Sequence, residues 1–467
     1  MILTLFIGLL ILFLGLFALT VQFHLWEHRS DASRLKPWQQ AIWAQKGWVY
    51  TALLIVLTGS LAAFYGLVQG TPWEAHLFEW MNLVIRVMHF TFGIAWIGAS
   101  FYFVFLENAL NRTDNVRDEL AGNLWAIHGG GFYYLEKYKV APKSIPERLH
   151  WFKYEAYFTW LSGFSLLTVV YYLNAKSMLI DPAVMDLTPW AAGAIGIGSL
   201  VAGWVMYDLL CKSPLVHRGF WFFVVFLLIA TGFAYFYTQV FSARAAYIHF
   251  GAFLGTIMAA NVFFVIIPSQ KALVAAAKRG EAPDPELGKK AGLRSLHNNY
   301  FTLPVLFAMV SNHFPSTFGH PYAWVILMAM AIGLAGVKHY LNVIERHQYQ
   351  VWILPVSVLI LLGVAYATSP KLPENATSCA TPVAFPQVHS IVLTRCQTCH
   401  SGNPTDDVFK LPPNGVVFET AEQLINRKDK LMQRVVLTKS MPLLNKTHMT
   451  DAERETIRCW IEQGAKP

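Results

Sequence analysis

"HFTFGIAWIGASFYF", residues 89–103, and "HFGAFLGTIMAANVFF", residues 249–264, are two apolar stretches that open on the same His-Phe pair. Each lies in a longer segment, 87–106 and 245–270, with no Asp, Glu, Lys or Arg. A helix needs roughly 20 such residues to cross a hydrocarbon layer about 30 Å thick. Working outward by that length, spans fall near 2–24, 48–69, 81–106, 155–174, 189–210, 219–238, 244–267, 298–313, 321–342 and 350–367. Pro304 interrupts the short eighth, so eight to ten spans are open. Composition agrees: 55% of the 467 residues are hydrophobic and 14% charged, against about 25% charged in soluble domains. The expected fold is an all-α polytopic membrane bundle over 1–370.

Loop charge alternates. Basic loops carry Arg29 to Lys46, Arg112 to Lys153, Lys212 and Arg218, Lys271 to Arg294, and Lys338 with Arg346. The loops at 70–80, 175–188, 239–243 and 314–320 carry almost no Lys or Arg. The basic loops therefore face the cytoplasm and both termini face outward, which is periplasmic for a bacterial inner membrane. The first segment lacks a basic start and a small-residue cleavage site, so it reads as a retained span. The net charge of +8 is spread over these loops. No basic stripe of the kind nucleic acid requires is present.

The two opening stretches belong to a longer match. After each comes a basic loop, then "RLHWFKYEAYFTW" (148–160) or "RSLHNNYFTL" (294–303). Two parallel four-helix repeats, about 81–238 and 244–367, follow from this pattern. Equivalent positions would face each other across the repeat axis, bringing His89 to His249 in the outer half of the bilayer. Arg86 is one turn from His89, and Arg244 precedes His249. Intramembrane ionisable residues are functional candidates. Three readings are open for this set: ligands and propionate clamps of a b-type haem, a substrate cavity, or hydrogen-bonded core histidines. On the opposite side lie His24, His150, His297 and His339, with His128 and His217 in loops.

After the last span, residues 371–390 are rich in Pro, Ser and Thr and read as a tether. Then comes "RCQTCH" (395–400) in a C-terminal domain over 391–467. CxxCH is the attachment motif of a c-type haem: Cys396 and Cys399 form the thioethers and His400 is the proximal iron ligand. Met441, before Pro442, is the second axial ligand by its spacing, with His389 and His448 as alternatives. In this the segment resembles small class I cytochromes c. The competing reading, a zinc or redox CxxC, does not explain the adjoining His and the later Met-Pro. Cys379 and Cys459 bracket the domain and suit a disulfide in an oxidising compartment.

The loop "NLWAIHGGGFYYLEKYKVAPKSIPERLHWFKYEAYFTWLSGF" (123–164) has a glycine run at 129–131. It is not a nucleotide fingerprint, because it is not spaced GxGxxG and no strand is expected before it. This stretch, with "SLLTVVYYLNAKSMLIDP" after it, resembles the membrane-bound, cytochrome c-containing bacterial urate oxidases (urate hydroxylases). The resemblance covers essentially the whole chain. It implies oxidation of urate to 5-hydroxyisourate, with electrons passed through the fused cytochrome to the respiratory chain. The acceptor would be a soluble cytochrome c or a terminal oxidase. Only Cys396, Cys399, His400 and Met441 carry over from it. A urate site needs a cationic or amide donor, a base to activate water, and aromatic walls. On the cytoplasmic side the candidates are His128, Glu136, Lys153, Glu155 and His297, which would require a relay across the bilayer. At the outer face they are His89, His249, Arg86 and Arg244.

Overall fold

In the computed structural model, Gly66 and residues 71–467 are described, except 143, 370–378, 407, 408 and 410. The spans expected at 2–24 and 48–69, and His24, lie outside the described residues. Contacts divide the chain into two units, Met1–Trp80 and Met81–Pro467. In the first, the described part is chiefly the start of helix α1, where His76 meets Trp73 and Trp80 edge-on.

The bundle consists of α1 (Pro72–Ala109), α2 (Tyr154–Leu167), α3 (Pro189–Lys212), α4 (Gly219–Val240), α5 (Ala243–Lys278), α6 (Pro285–Val310), α7 (Ala323–Ile344) and α8 (Ile353–Ala367). Among the described residues, five helices are long and apolar enough to cross a membrane: α3, α4, α5, α7 and the His76–Ala109 part of α1. Strong starts recur. Thr188 and Ser242 cap α3 and α5 by accepting from the backbone N–H three residues on, and Pro189 occupies the first position of α3. Helix α5 is the centre, packed by α2, α3, α4 and α6. Pro304 sits buried inside α6 without ending it. In a packed bundle the backbone group freed by a proline finds other partners, so the break expected there does not occur.

Two departures from regular helix shape the interior. Residues Asn261–Ile266 form a π-turn within α5, and Thr168–Tyr172 and Ala175–Leu179 continue α2 as π-turns. Such insertions re-aim side chains and recur at functional positions. The chain is also not all-α. The loop after α1 folds into a hairpin, β1 (Leu120–His128) and β2 (Gly131–Tyr138), with His128 opposite Gly131 and Trp125 opposite Tyr134. The glycine run therefore does follow a strand. Gly129 and Gly130 take φ of 57° and 79°, the left-handed pair that a two-residue hairpin turn requires. The β-forming residues Trp125, Ile127, Phe132, Tyr133 and Tyr134 outweigh the helical setting of the sequence around them. Lys137 of β2 pairs with Glu107 at the end of α1.

The C-terminal domain is a separate hydrophobic core. Helices α9 (Phe385–Arg395) and α10 (Asp451–Glu462) pack on each other around Val388, Val392, Leu424, Val435 and Trp460. Helix α9 begins inside the stretch expected to be tether. Cys379 and Cys459 form a disulfide, as expected, and it closes this domain from residue 379 onward.

Small residues let the helices approach closely, as membrane bundles require. A Cβ on Gly251 of α5 would lie 2.8 Å from the Ala308 Cβ of α6. Gly251→Ala is expected to destabilise the bundle by about 1–3 kcal/mol through overpacking. The check is a lowered thermal unfolding midpoint in detergent.

Candidate functional site

The polar residues of the bundle gather in two places. The first begins with Arg294 of α6, which is 2% exposed. A guanidinium so placed is tolerable only with a counter-charge and filled donors. Its Nη2 donates to Asp208 Oδ1 at 2.7 Å and its Nη1 to Asn261 Oδ1 at 2.9 Å. The rings of Tyr207 and Trp204 lie 5.0 and 5.8 Å from its Cζ. Asn261, at the π-turn of α5, donates to Asn298 Oδ1 at 2.8 Å and to the Tyr207 hydroxyl at 3.2 Å. The Tyr207 hydroxyl also meets His297 Nδ1 at 2.8 Å. A neighbouring set runs through Asn299, Asn342 and Asn108 to Glu345 and Arg346.

Of the five cytoplasmic candidates, the structure takes His297 into this network and leaves the others apart. His128 and Glu136 are exposed on the hairpin, and Glu136 pairs with Arg117. Lys153 and Glu155 begin α2, where Lys153 lies over the Tyr154 ring at 4.8 Å. One oxygen of Glu155 is buried and has no hydrogen-bond partner. His150 and His297, matched by the repeat, do not share surroundings. His150 is exposed in a loop and edge-on to Phe152, whereas His297 stacks on Phe222 within the bundle. Asp208, Asn261 and Asn298 escaped the sequence reading, although polar residues inside apolar helices are a usable signal.

The second place surrounds His249, which has no exposed surface. Its Nδ1–H donates to the Ala245 carbonyl at 2.9 Å, and its Nε2 meets the Tyr172 hydroxyl at 3.2 Å. Tyr171, Tyr172, Tyr237 and Phe241 enclose the ring. His89 is elsewhere: its Nδ1 lies 3.0 Å from the Thr159 carbonyl and 3.2 Å from Ser162 Oγ. No hydrogen bond or ring contact joins His89 to His249 among the described residues. The atom of His249 that a haem iron would take is held by Tyr172, and aromatic rings fill the space around it. These residues do not fit a b-type haem. Arg86 is exposed and bonds back to Asn82 at 2.9 Å. Arg244 lies at the start of α5, with its guanidinium 5.7 Å from the Phe318 ring.

In the C-terminal domain α9 ends at Arg395, so the CxxCH residues form the turn that follows. Neither Cys396 nor Cys399 takes part in a disulfide. Burial, then the neighbouring Cys399 thiol, pushes Cys396 up to about 12. No three His, Cys, Asp or Glu side chains among the described residues converge as a metal site. That geometry disfavours the zinc reading. His400 Nδ1–H donates to the Val416 carbonyl at 2.9 Å, which leaves Nε2 free to bind iron. Met441 packs on the same core as Cys396. The Met441 carbonyl accepts from Arg454 Nη1 at 2.7 Å, and its N–H donates to the Arg434 carbonyl at 3.0 Å. Two thiols, a free imidazole nitrogen and an anchored thioether are the donor set a c-type haem needs. Of the alternatives, His389 rests against Phe385 and His448 is exposed.

Fold and site together define a helix-bundle protein with helices of membrane-spanning length and a small CxxCH domain. The chain belongs to the urate oxidase N-terminal family, whose model matches residues 75–369. That match ends before Cys379, so the CxxCH domain lies outside it. No curated protein and no solved structure matches the chain.

The ion pair yields an ordered prediction. Asp208→Ala would leave the Arg294 cation buried without a counter-charge, at a cost of about 3–5 kcal/mol. Arg294→Met removes the buried charge and leaves Asp208 its exposed partner Lys212 at 2.6 Å, so it should cost less. Thermal midpoints of the two variants in detergent give the order directly.

Proposed function

We propose that this chain oxidises urate to 5-hydroxyisourate and passes the electrons to a haem held by its C-terminal domain. From there they leave to a soluble cytochrome c or a terminal oxidase. The observation that carries the reading is the joining, in one chain, of a urate oxidase N-terminal region and a CxxCH domain. The balance is simple: urate and water give 5-hydroxyisourate, two protons and two electrons. Bound through Cys396 and Cys399, the haem would supply a one-electron acceptor whose potential Met/His ligation raises.

The chain's own residues have defined tasks in this scheme. Val416 fixes the tautomer and orientation of His400, so its Nε2 points to iron. Arg454 grips the Val435 and Met441 carbonyls and holds the Met441 loop in place. The bundle supplies the substrate with cationic donors and aromatic walls. By loop charge, the bundle sits in a bacterial inner membrane with the haem domain on the periplasmic side.

The test is anaerobic addition of urate to membranes with oxidised c-haem, followed by absorbance. Reduction is expected, and Met441→Ala should lower the haem midpoint and slow it. Reduction by quinol without any by urate would replace this reading with a quinol or other small-molecule oxidoreductase. Reduction by neither would favour a transporter or electron conduit with a tethered redox domain.

A further inference from the structure

Arg244 is half-buried, and the enclosed part of its guanidinium lacks a partner. Its Nε is fully enclosed and has no hydrogen-bond acceptor. No hydrogen bond or ion pair of Arg244 exists among the described residues; its contact is the Phe318 ring. Its place in the first turn of α5 makes matters worse, because the positive end of the helix dipole adds to its own charge. The ionisable groups within electrostatic reach are the Tyr171 hydroxyl and a second cation, Arg434 of the C-terminal domain. The Arg434 side chain likewise has no acidic partner among the described residues. A third cation, Arg86, reaches the same Tyr171. Phe318, under Arg244, adjoins Gly319 at the approach to Thr438, one turn from Arg434, so two like charges lie along this seam and repel. An anion between them would reverse the sign of the interaction.

The surroundings suit an organic anion. The buried rings of Phe318 and Tyr171 back this place, and Asn312 Nδ2 donates to the Tyr171 hydroxyl at 3.2 Å. Guanidinium forks match a pair of delocalised oxygens. The two domains meet here: a Cβ on Gly319 would lie 3.6 Å from the Thr438 carbonyl. Arg434 is tied to the loop of Met441 by the hydrogen bond from the Met441 N–H. We infer that Arg244 and Arg434 together bind a delocalised organic oxyanion at the seam between the bundle and the C-terminal domain. Resting on the function proposed above, that anion is urate, held beside the electron acceptor with no need of a relay across the bilayer. The other source of the same chemistry is a propionate of the protein's own haem.

The test uses the full-length, haem-loaded protein in detergent. Arg244→Gln and Arg434→Gln, singly and combined, are titrated anaerobically with urate while c-haem reduction is followed. Haem content and midpoint potential are measured for each. A bound urate predicts at least a tenfold rise in half-saturating urate for either single variant, less than additive effects in the double, and recovery with Lys. The midpoint would then be unchanged. A propionate predicts the converse: a lowered midpoint or haem content with half-saturating urate unchanged. Because the arginines sit in different domains, misfolding of one variant leaves the other to decide. Variants that match the wild type in all three readouts overturn the inference. If urate fails to reduce the wild type, the proposed function falls instead. Equilibrium dialysis of urate against wild type and both variants, with the midpoints, then decides the anion site alone: a difference supports it and equality overturns it.

Discussion

The bundle depends on burying Arg294. This cation draws three helices to one point, because Asp208 comes from α3 and Asn261 from α5 while Arg294 itself stands on α6. Lost hydration of such a group costs several kcal/mol, and only this set of partners offsets it. The π-turn at Asn261 follows from the same need, since it aims an amide that must serve Arg294, Asn298 and Tyr207 at once. Register among α3, α5 and α6 is thereby specified, which apolar packing between greasy helices does poorly.

A second constraint acts at the other end of α5. Arg244 carries part of the burden of Arg294 without the same relief. Arg294 is buried and fully partnered, whereas Arg244 is half-buried with an unpartnered Nε, and that contrast is what the proposed anion site rests on. The C-terminal domain contributes its own arginine to this place and its own method of holding a loop, with Arg454 inside the core gripping the carbonyl of Met441. On the proposed reading, chemistry and electron exit share one seam, and the buried network around Arg294 holds the scaffold.

Much of this was legible in residue patterns. Helices α3, α4, α7 and α8 follow the apolar spans within about three residues, because a run of uncharged residues has one economical solution in hydrocarbon. Helices α5 and α6 instead each run more than ten residues past the expected spans into the basic loop between them. The Cys379–Cys459 bridge was likewise foreshadowed, since the two cysteines bracket the small domain in the sequence. The hairpin at 120–138 was not expected, because strand propensity over nine residues is overshadowed by the surrounding helical sequence. The repeat match between His150 and His297 failed to predict their surroundings for a related reason. Similar words in a sequence do not specify which neighbours close around them.

By itself, then, the sequence determined the elements whose physics is local: above all the helices, whose apolar length has one solution in hydrocarbon. The tertiary structure alone decided which charged groups are paired. It gave Asp208 to Arg294, Tyr172 to His249 and no acid to Arg244. Those pairings depend on contacts between residues tens of positions apart, and no local pattern encodes the solvation that each side chain loses when the helices close.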